Sequence, residues 1–148
     1  MIFIGSDHGG YSLKLEVIEH LKNRGIEVTD IGCDSEASCD YPVYAKKVTD
    51  AIKDGSADLG ILICGTGIGI SIAANKVKGI RAAVVTNEFC AEMTRRHNDA
   101  NILAMGGRVI SPETAVKLTD IFLNTEFEGG RHERRIEQIA KIENGEDF

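Results

Sequence analysis

Cys64 opens the stretch Cys64-Gly65-Thr66-Gly67-Ile68-Gly69-Ile70-Ser71, a glycine loop hung directly on the apolar run Leu59–Ile63. Such a run reads as a short buried strand, and Ile70–Lys76 as the first turns of a helix. A strand passing through a glycine turn into a helix aims several backbone N–H groups at one spot, where the helix dipole also favours negative charge. The glycines let a ligand oxygen approach the backbone with no Cβ between them. A cysteine at the head of that loop meets donors that suit an ionised sulfur. The spacing Gly-x-Gly-x-Gly is neither the dinucleotide fingerprint nor a P-loop. The loop therefore reads as an anion site with a poised thiol, or else as a tight turn whose cysteine packs as a small hydrophobe.

Three further groups of residues carry chemical potential. Asp7-His8-Gly9-Gly10 follows the first apolar run directly. Aspartate there is either a helix N-cap or an acceptor for a substrate hydroxyl, and His8 can donate to a phosphate or a ring oxygen. His97 ends a helix beside Asn98, Asp99 and Asn101, more polar groups than helix termination needs; a histidine there suits acid–base work near neutral pH. The neighbouring Arg95 and Arg96 are accounted for by the helix C-terminus alone. Arg131-His132-Glu133-Arg134-Arg135 puts cations at a helix start, where the dipole opposes them. Arg131 and Arg135 lie one turn apart on one face, with Ile136 and Ile139 free to face the core. Two guanidinium forks on one face suit a phosphate monoester; the alternative is a solvated surface run. Arg108, after Gly106-Gly107, is a further anion ligand candidate.

The elements that position these residues alternate. Met1–Gly5 is a strand, and the Leu13, Val17, Ile18, Leu21 spacing predicts a helix stopped at Gly25. A strand over Ile26–Ile31 precedes a polar loop, Gly32–Tyr41, that holds Cys33, Cys39, Asp40 and Tyr41. Pro42 opens a helix with Val43, Val48 and Ile52 on its apolar face. After the glycine loop come a strand at Ile80–Val85, a helix at Glu88–Arg96, a strand at Ile102–Met105, a helix from Pro112 to about Leu123, and a last helix beginning near Arg131. This alternation predicts an α/β, three-layer Rossmann-like fold around a five-stranded parallel sheet, in the order 2-1-3-4-5. In that order the chain reverses between strands 1 and 3, and ligands sit beyond their C-terminal ends. Topology alone therefore brings the Asp7–Gly10 and Cys64–Gly67 loops together.

A chain of 148 residues with 43% hydrophobic and 27% charged residues reads as one globular domain, 1–148. Its net charge of −6 argues against general nucleic-acid binding. No apolar run approaches the length of a membrane span. The N-terminus reads as a strand and not a signal peptide. Cys33, Cys39, Cys64 and Cys90 form no C-x-x-C pair, so reduced thiols in the cytoplasm are expected and a structural zinc site is not.

Taken together, Ser6-Asp7-His8-Gly9-Gly10, Asp40-Tyr41-Pro42, Ile63–Gly69, His97-Asn98-Asp99, Gly106-Gly107-Arg108 and Gly129-Gly130-Arg131-His132 resemble the ribose- and galactose-phosphate isomerases, in particular type B ribose-5-phosphate isomerases, over nearly the whole chain. The resemblance implies an aldose–ketose isomerase needing no metal or cofactor, acting through an enediolate on ribose 5-phosphate and ribulose 5-phosphate. Cys64 then matches the proton-transfer base and Thr66 the residue assisting at the reacting carbons. His97 matches the ring-opening group, with Asp7 and Tyr41 around the ring oxygen. His8, Arg108, Arg131 and Arg135 match phosphate ligands. Asn98 accompanies the Gly65, Gly67, Ile68 and Gly69 backbone in binding sugar oxygens. Ser71 stands where some relatives carry a carboxylate, which puts this chain with the thiol-dependent enzymes. A homodimer or tetramer with a shared active site is also implied, with no nucleic acid or membrane partner.

Two other classes compete. A non-catalytic phospholigand-binding module explains the glycines and arginines but neither Cys64 nor His97. A thiol redox protein lacks its second cysteine near Cys64. Within the isomerase class, allose or galactose 6-phosphate is the alternative substrate.

Overall fold

Five short apolar runs form one parallel sheet in a computed structural model describing residues 1–148. The strands are β1 (Ile2–Ser6), β2 (Val28–Asp30), β3 (Leu59–Cys64), β4 (Ala82–Val84) and β5 (Ile102–Gly106). The helices are α1 (Tyr11–Asn23), α2 (Tyr41–Lys53), α3 (Ile68–Ala74), α4 (Glu88–Arg96), α5 (Pro112–Asn124) and α6 (Arg131–Glu143). None is long and apolar enough to cross a membrane.

Side chains of the central strands alternate between two cores, as the two-residue period of a strand requires. Ile4, Ile61, Ile63, Leu103 and Met105 pack with α1, α4 and α5 on one face. Leu62, Cys64, Ile102 and Ala104 pack with α2 and α3 on the other. The three layers follow directly from that alternation.

The sheet order is β2-β1-β3-β5-β4, so the expected 2-1-3-4-5 is corrected at its last two places. Burial explains the exchange. All five residues of β5 are buried, as a strand flanked on both sides and covered on both faces must be. β4 has three residues and leaves Val84 42% exposed, which suits an edge. The reversal between β1 and β3 stands as expected.

α6 joins neither core. Ile139 is 46% exposed, and neither it nor the half-buried Ile136 belongs to either core, so the expectation that both face the core is not met. Both sheet faces are already covered by the other helices, leaving α6 only outer surface to lie on.

One buried cation fixes the approach to the site. Lys14, on α1, is fully buried and donates to Asp30 Oδ1 at 2.7 Å and to the Cys33 carbonyl at 2.5 Å. Asp30 also accepts from the Gly32 N–H. This pins the corner leading into the 33–40 loop. Lys14→Met should lower unfolding free energy by about 3 kcal/mol, because it leaves buried acceptors unmatched; the midpoint of urea unfolding measures it, and an unchanged midpoint would contradict the assigned role.

Candidate active site

In register, Ser6 pairs with Ile63 and Cys64 with Gly106. The ends of β1, β3 and β5 are therefore level, and their three loops emerge side by side. Backbone meets backbone there. A Cβ on Gly9 would lie 3.1 Å from Gly65 N, and one on Gly107 would lie 2.5 Å from the Gly9 carbonyl oxygen. The loops interlock through hydrogen bonds as well: Gly107 N–H donates to the Cys64 carbonyl at 2.8 Å, and Arg108 N–H to the Gly65 carbonyl at 3.0 Å.

Cys64 is 4% exposed at the tip of β3, and its Sγ accepts the Gly67 N–H at 3.1 Å. Gly67 can turn that N–H inward because it sits at φ +81°, the left-handed region that glycine alone enters freely. Thr66 Oγ1 accepts the Ile68 N–H at 3.2 Å, which fixes its hydroxyl at the loop's outer lip. Ser71 donates its hydroxyl to the Ile68 carbonyl and braces the short helix α3. Arg108 lies over Gly65, its guanidinium 3.2 Å from where a Cβ would stand, and Tyr41 lies over Gly69, its ring 2.9 Å from that residue's Cβ position.

Asp7 meets its helix-cap reading and is also placed where it borders open space. Its Oδ1 caps the 3₁₀ turn His8–Gly10 by accepting the Gly10 N–H at 3.1 Å. It also borders a cavity of about 570 Å³ with His8, Cys39 and Tyr41. His8 Nδ1 accepts the Cys39 N–H at 3.2 Å, which places the neutral ring's proton on Nε2 and leaves that nitrogen as a donor. Burial pushes the Cys39 thiol above the ordinary cysteine value, so the sulfur lining this cavity is held protonated.

The remaining expected residues lie at the opposite edge of the sheet. α4 returns from the C-terminal end of β4 to the N-terminal end of β5, so His97 and Asn98 sit where strands begin. The Asn101 carbonyl accepts the Gly60 N–H, which anchors this turn beside the start of β3, four strand residues or about 13 Å from Cys64. Arg95 and Arg81 brace the turn: Arg95 bonds the Ala100 carbonyl and Asp99, and Arg81 the Asn98 and Asp99 carbonyls. Arg96 pairs with Glu92. These arginines serve the fold, in keeping with their helix-terminus reading. The Glu128 N–H donates to the Arg96 carbonyl, so α6 starts at this same edge. Arg131 and Arg135 are exposed there and make no ion pair.

One chain thus holds the expected residues in two separate groups. Cys64, Thr66, the glycine floor, Asp7, His8, Tyr41 and Arg108 form one; His97, Asn98, Arg131 and Arg135 form the other. Residue spacing could not reveal this division, because it depends on which end of α4 and α6 faces which edge. Sequence reasoning also gave no role to His132, whose ring stacks on His97 with centroids 4.2 Å apart and planes 12° from parallel. Its signal was its place inside the basic run at Gly129-Gly130-Arg131-His132.

Comparison with known proteins agrees with this geometry. The family model for Ribose/Galactose Isomerase matches residues 2–139. Ribose-5-phosphate isomerase B of Escherichia coli is 51% identical over 96% of this chain and 95% of its own. The Clostridium thermocellum ribose-5-phosphate isomerase B structure superposes with a TM-score of 0.96 at 56% identity, covering 97% of each chain. The Mycoplasma genitalium enzyme, solved with bound ribulose-5-phosphate, superposes with a TM-score of 0.92 at 48% identity over 97% of this chain and 95% of that one. With a thiol on a glycine floor carried on this sheet, and the family model matching residues 2–139, the chain belongs to the ribose/galactose isomerase family.

Proposed function

We propose that residues 1–148 act as one domain of a cytoplasmic homodimer or tetramer that interconverts ribose 5-phosphate and ribulose 5-phosphate. Each active site joins the Cys64 half-site of one subunit to the His97 half-site of another. The observation that carries this reading is the convergence of Cys64, Thr66, Asp7, His8 and Arg108 at the ends of β1, β3 and β5.

Phosphate binds between His8 and Arg108 on one side and Arg131 and Arg135 of a second copy on the other. Remote binding energy of this kind holds the reacting end in register. His97 transfers the proton that opens the furanose, with Asp7 and Tyr41 around the ring oxygen. Cys64, as thiolate, then removes the proton from C2; the electron pair of that C–H bond becomes the C1–C2 double bond, and the carbonyl π pair moves onto the oxygen at C1. Backbone N–H groups of the Gly65–Gly69 loop, with Asn98, stabilise that charge; a well-placed donor contributes about 3–4 kcal/mol. A proton passes from the C2 hydroxyl to the C1 oxygen with help from Thr66, and Cys64 returns its proton to C1. The chain supplies every group in this scheme.

A coupled assay comparing kcat/KM for ribose 5-phosphate with allose 6-phosphate and galactose 6-phosphate tests the reading. The pentose phosphate should lead by about 10-fold or more, since one extra hydroxymethylene shifts discrimination by about 1–3 kcal/mol. A preference for either hexose phosphate would retain the chemistry and overturn the substrate; no turnover of any of the three would overturn both.

A further inference from the structure

His132 is the single buried residue of α6, 5% exposed on a helix that otherwise lies in the open. A buried polar side chain ordinarily finds hydrogen-bond partners. Nε2 of His132 has none, and the nearest carboxylate oxygen, Glu128 Oε1, stands 3.8 Å away. What the ring does meet is the imidazole of His97, face to face at 4.2 Å and 12° from parallel. A buried, hydrogen-bond-poor histidine is a costly way to fill space when an aliphatic side chain would serve.

Burial holds His132 below the ordinary histidine value, and the facing His97 acts the same way; Glu128 opposes, while Arg131 and Arg135 add to the lowering. Two stacked rings resist double protonation. Ligand atoms of His97, Glu128 and His132 do lie within 4.8 Å of one another, but nearly parallel rings direct their lone pairs side by side. A metal ion must lie in the plane of each imidazole it binds, and these two planes do not meet nearby, so the cluster is not arranged as a metal centre.

We infer that His132 is a positioning residue: its flat ring is the platform that sets the orientation of the His97 imidazole for opening the sugar ring. This rests on His97 being the ring-opening group. The platform also explains why the basic run at the start of α6 contains a histidine pointing inward among arginines pointing out. Folding α6 down to present Arg131 and Arg135 to phosphate simultaneously delivers the ring that steadies His97, so phosphate binding and ring opening are built by one helix turn.

The test compares two replacements that both fill the space, His132→Leu, which offers no flat ring, and His132→Phe, which does. Two quantities are read for each: kcat/KM for ribose 5-phosphate, and the calorimetric Kd of a linear hydroxamate phosphate that mimics the open-chain enediolate and needs no ring opening. His132→Leu should lose about 10- to 100-fold in kcat/KM, while His132→Phe stays within about threefold of the unaltered enzyme, and both should bind the hydroxamate within about threefold. Undiminished turnover in His132→Leu, equal losses in the two variants, or loss of hydroxamate affinity parallel to loss of turnover would each overturn the platform. His97→Asn, run alongside, keeps the two ideas separable. Undiminished turnover in His97→Asn sinks the ring-opening role of His97 itself, whereas an impaired His97→Asn beside an unimpaired His132→Leu sinks the platform alone.

Discussion

Replacing Cys64 with alanine is expected to lower kcat by about 10³-fold, with KM within a few-fold of its starting value. In the proposed mechanism the thiol must meet both C2 and C1, and the Gly67 N–H, 3.1 Å from Sγ, fixes where it stands. Cys64→Ser keeps that hydrogen bond and the side chain's size, yet its hydroxyl is scarcely ionised near neutral pH, so it should be nearly as inactive. The other sulfurs serve as internal controls. Cys33 donates to the Ser35 carbonyl, Cys39 is held protonated by burial, and Cys90 is exposed on α4. Single alanine replacements of these three should leave kcat within about threefold. Near-normal turnover in Cys64→Ala, with substrate-dependent saturation intact, would remove the thiol from the mechanism.

The second large effect comes from mixing. Cys64→Ala and His97→Asn should each be nearly inactive alone, because every site then lacks one member. Subunits dissociated in mild denaturant, combined in equal amounts and reassociated should recover about a quarter of the unaltered activity: half the dimers are mixed, and each mixed dimer has one intact site and one doubly broken. The basis is positional, since Cys64 ends β3 on the C-terminal side of the sheet and His97 lies beside the N-terminal side, in a turn anchored at Gly60, four residues before Cys64 in β3. Recovery that stays at background after mixing, although gel filtration shows mixed dimers, would mean that a single chain completes its own site.

Much of this was legible before any coordinates. Helix α4 begins and ends at the expected residues because Asn87 caps it and polar residues stop it. Val17, Ile18 and Leu21 are buried as their spacing demands. The convergence of the Asp7 and Cys64 loops needed only the reversal between β1 and β3. What escaped was whatever depends on comparing elements distant in sequence. β4 and β5 both read as apolar strands, and only the difference between a strand covered on every side and one with an open flank decides which goes inward. The apolar side of α6 gave the same pattern as a core helix, although no core remained for it. Asp7 carried two readings that turned out to be compatible, since a carboxylate has two oxygens and the cap uses one.

The floor beneath Cys64 has a genetic consequence. Gly10 and Gly107 each face a backbone carbonyl oxygen with no room for a side-chain atom: a Cβ on Gly10 would lie 2.4 Å from that of Ile63. Any single-base change in a glycine codon that alters the residue adds at least a Cβ, and at Gly107 that atom would sit 2.5 Å from a carbonyl oxygen. These positions therefore have no near neighbour in the genetic code: a mutation there is silent or it breaks the floor. Gradual change is open only to the walls, where Tyr41, Arg108, Arg131 and Arg135 can each be shortened, lengthened or recharged in steps. A lineage of such enzymes can then vary its walls while the backbone floor beneath Cys64 stays fixed.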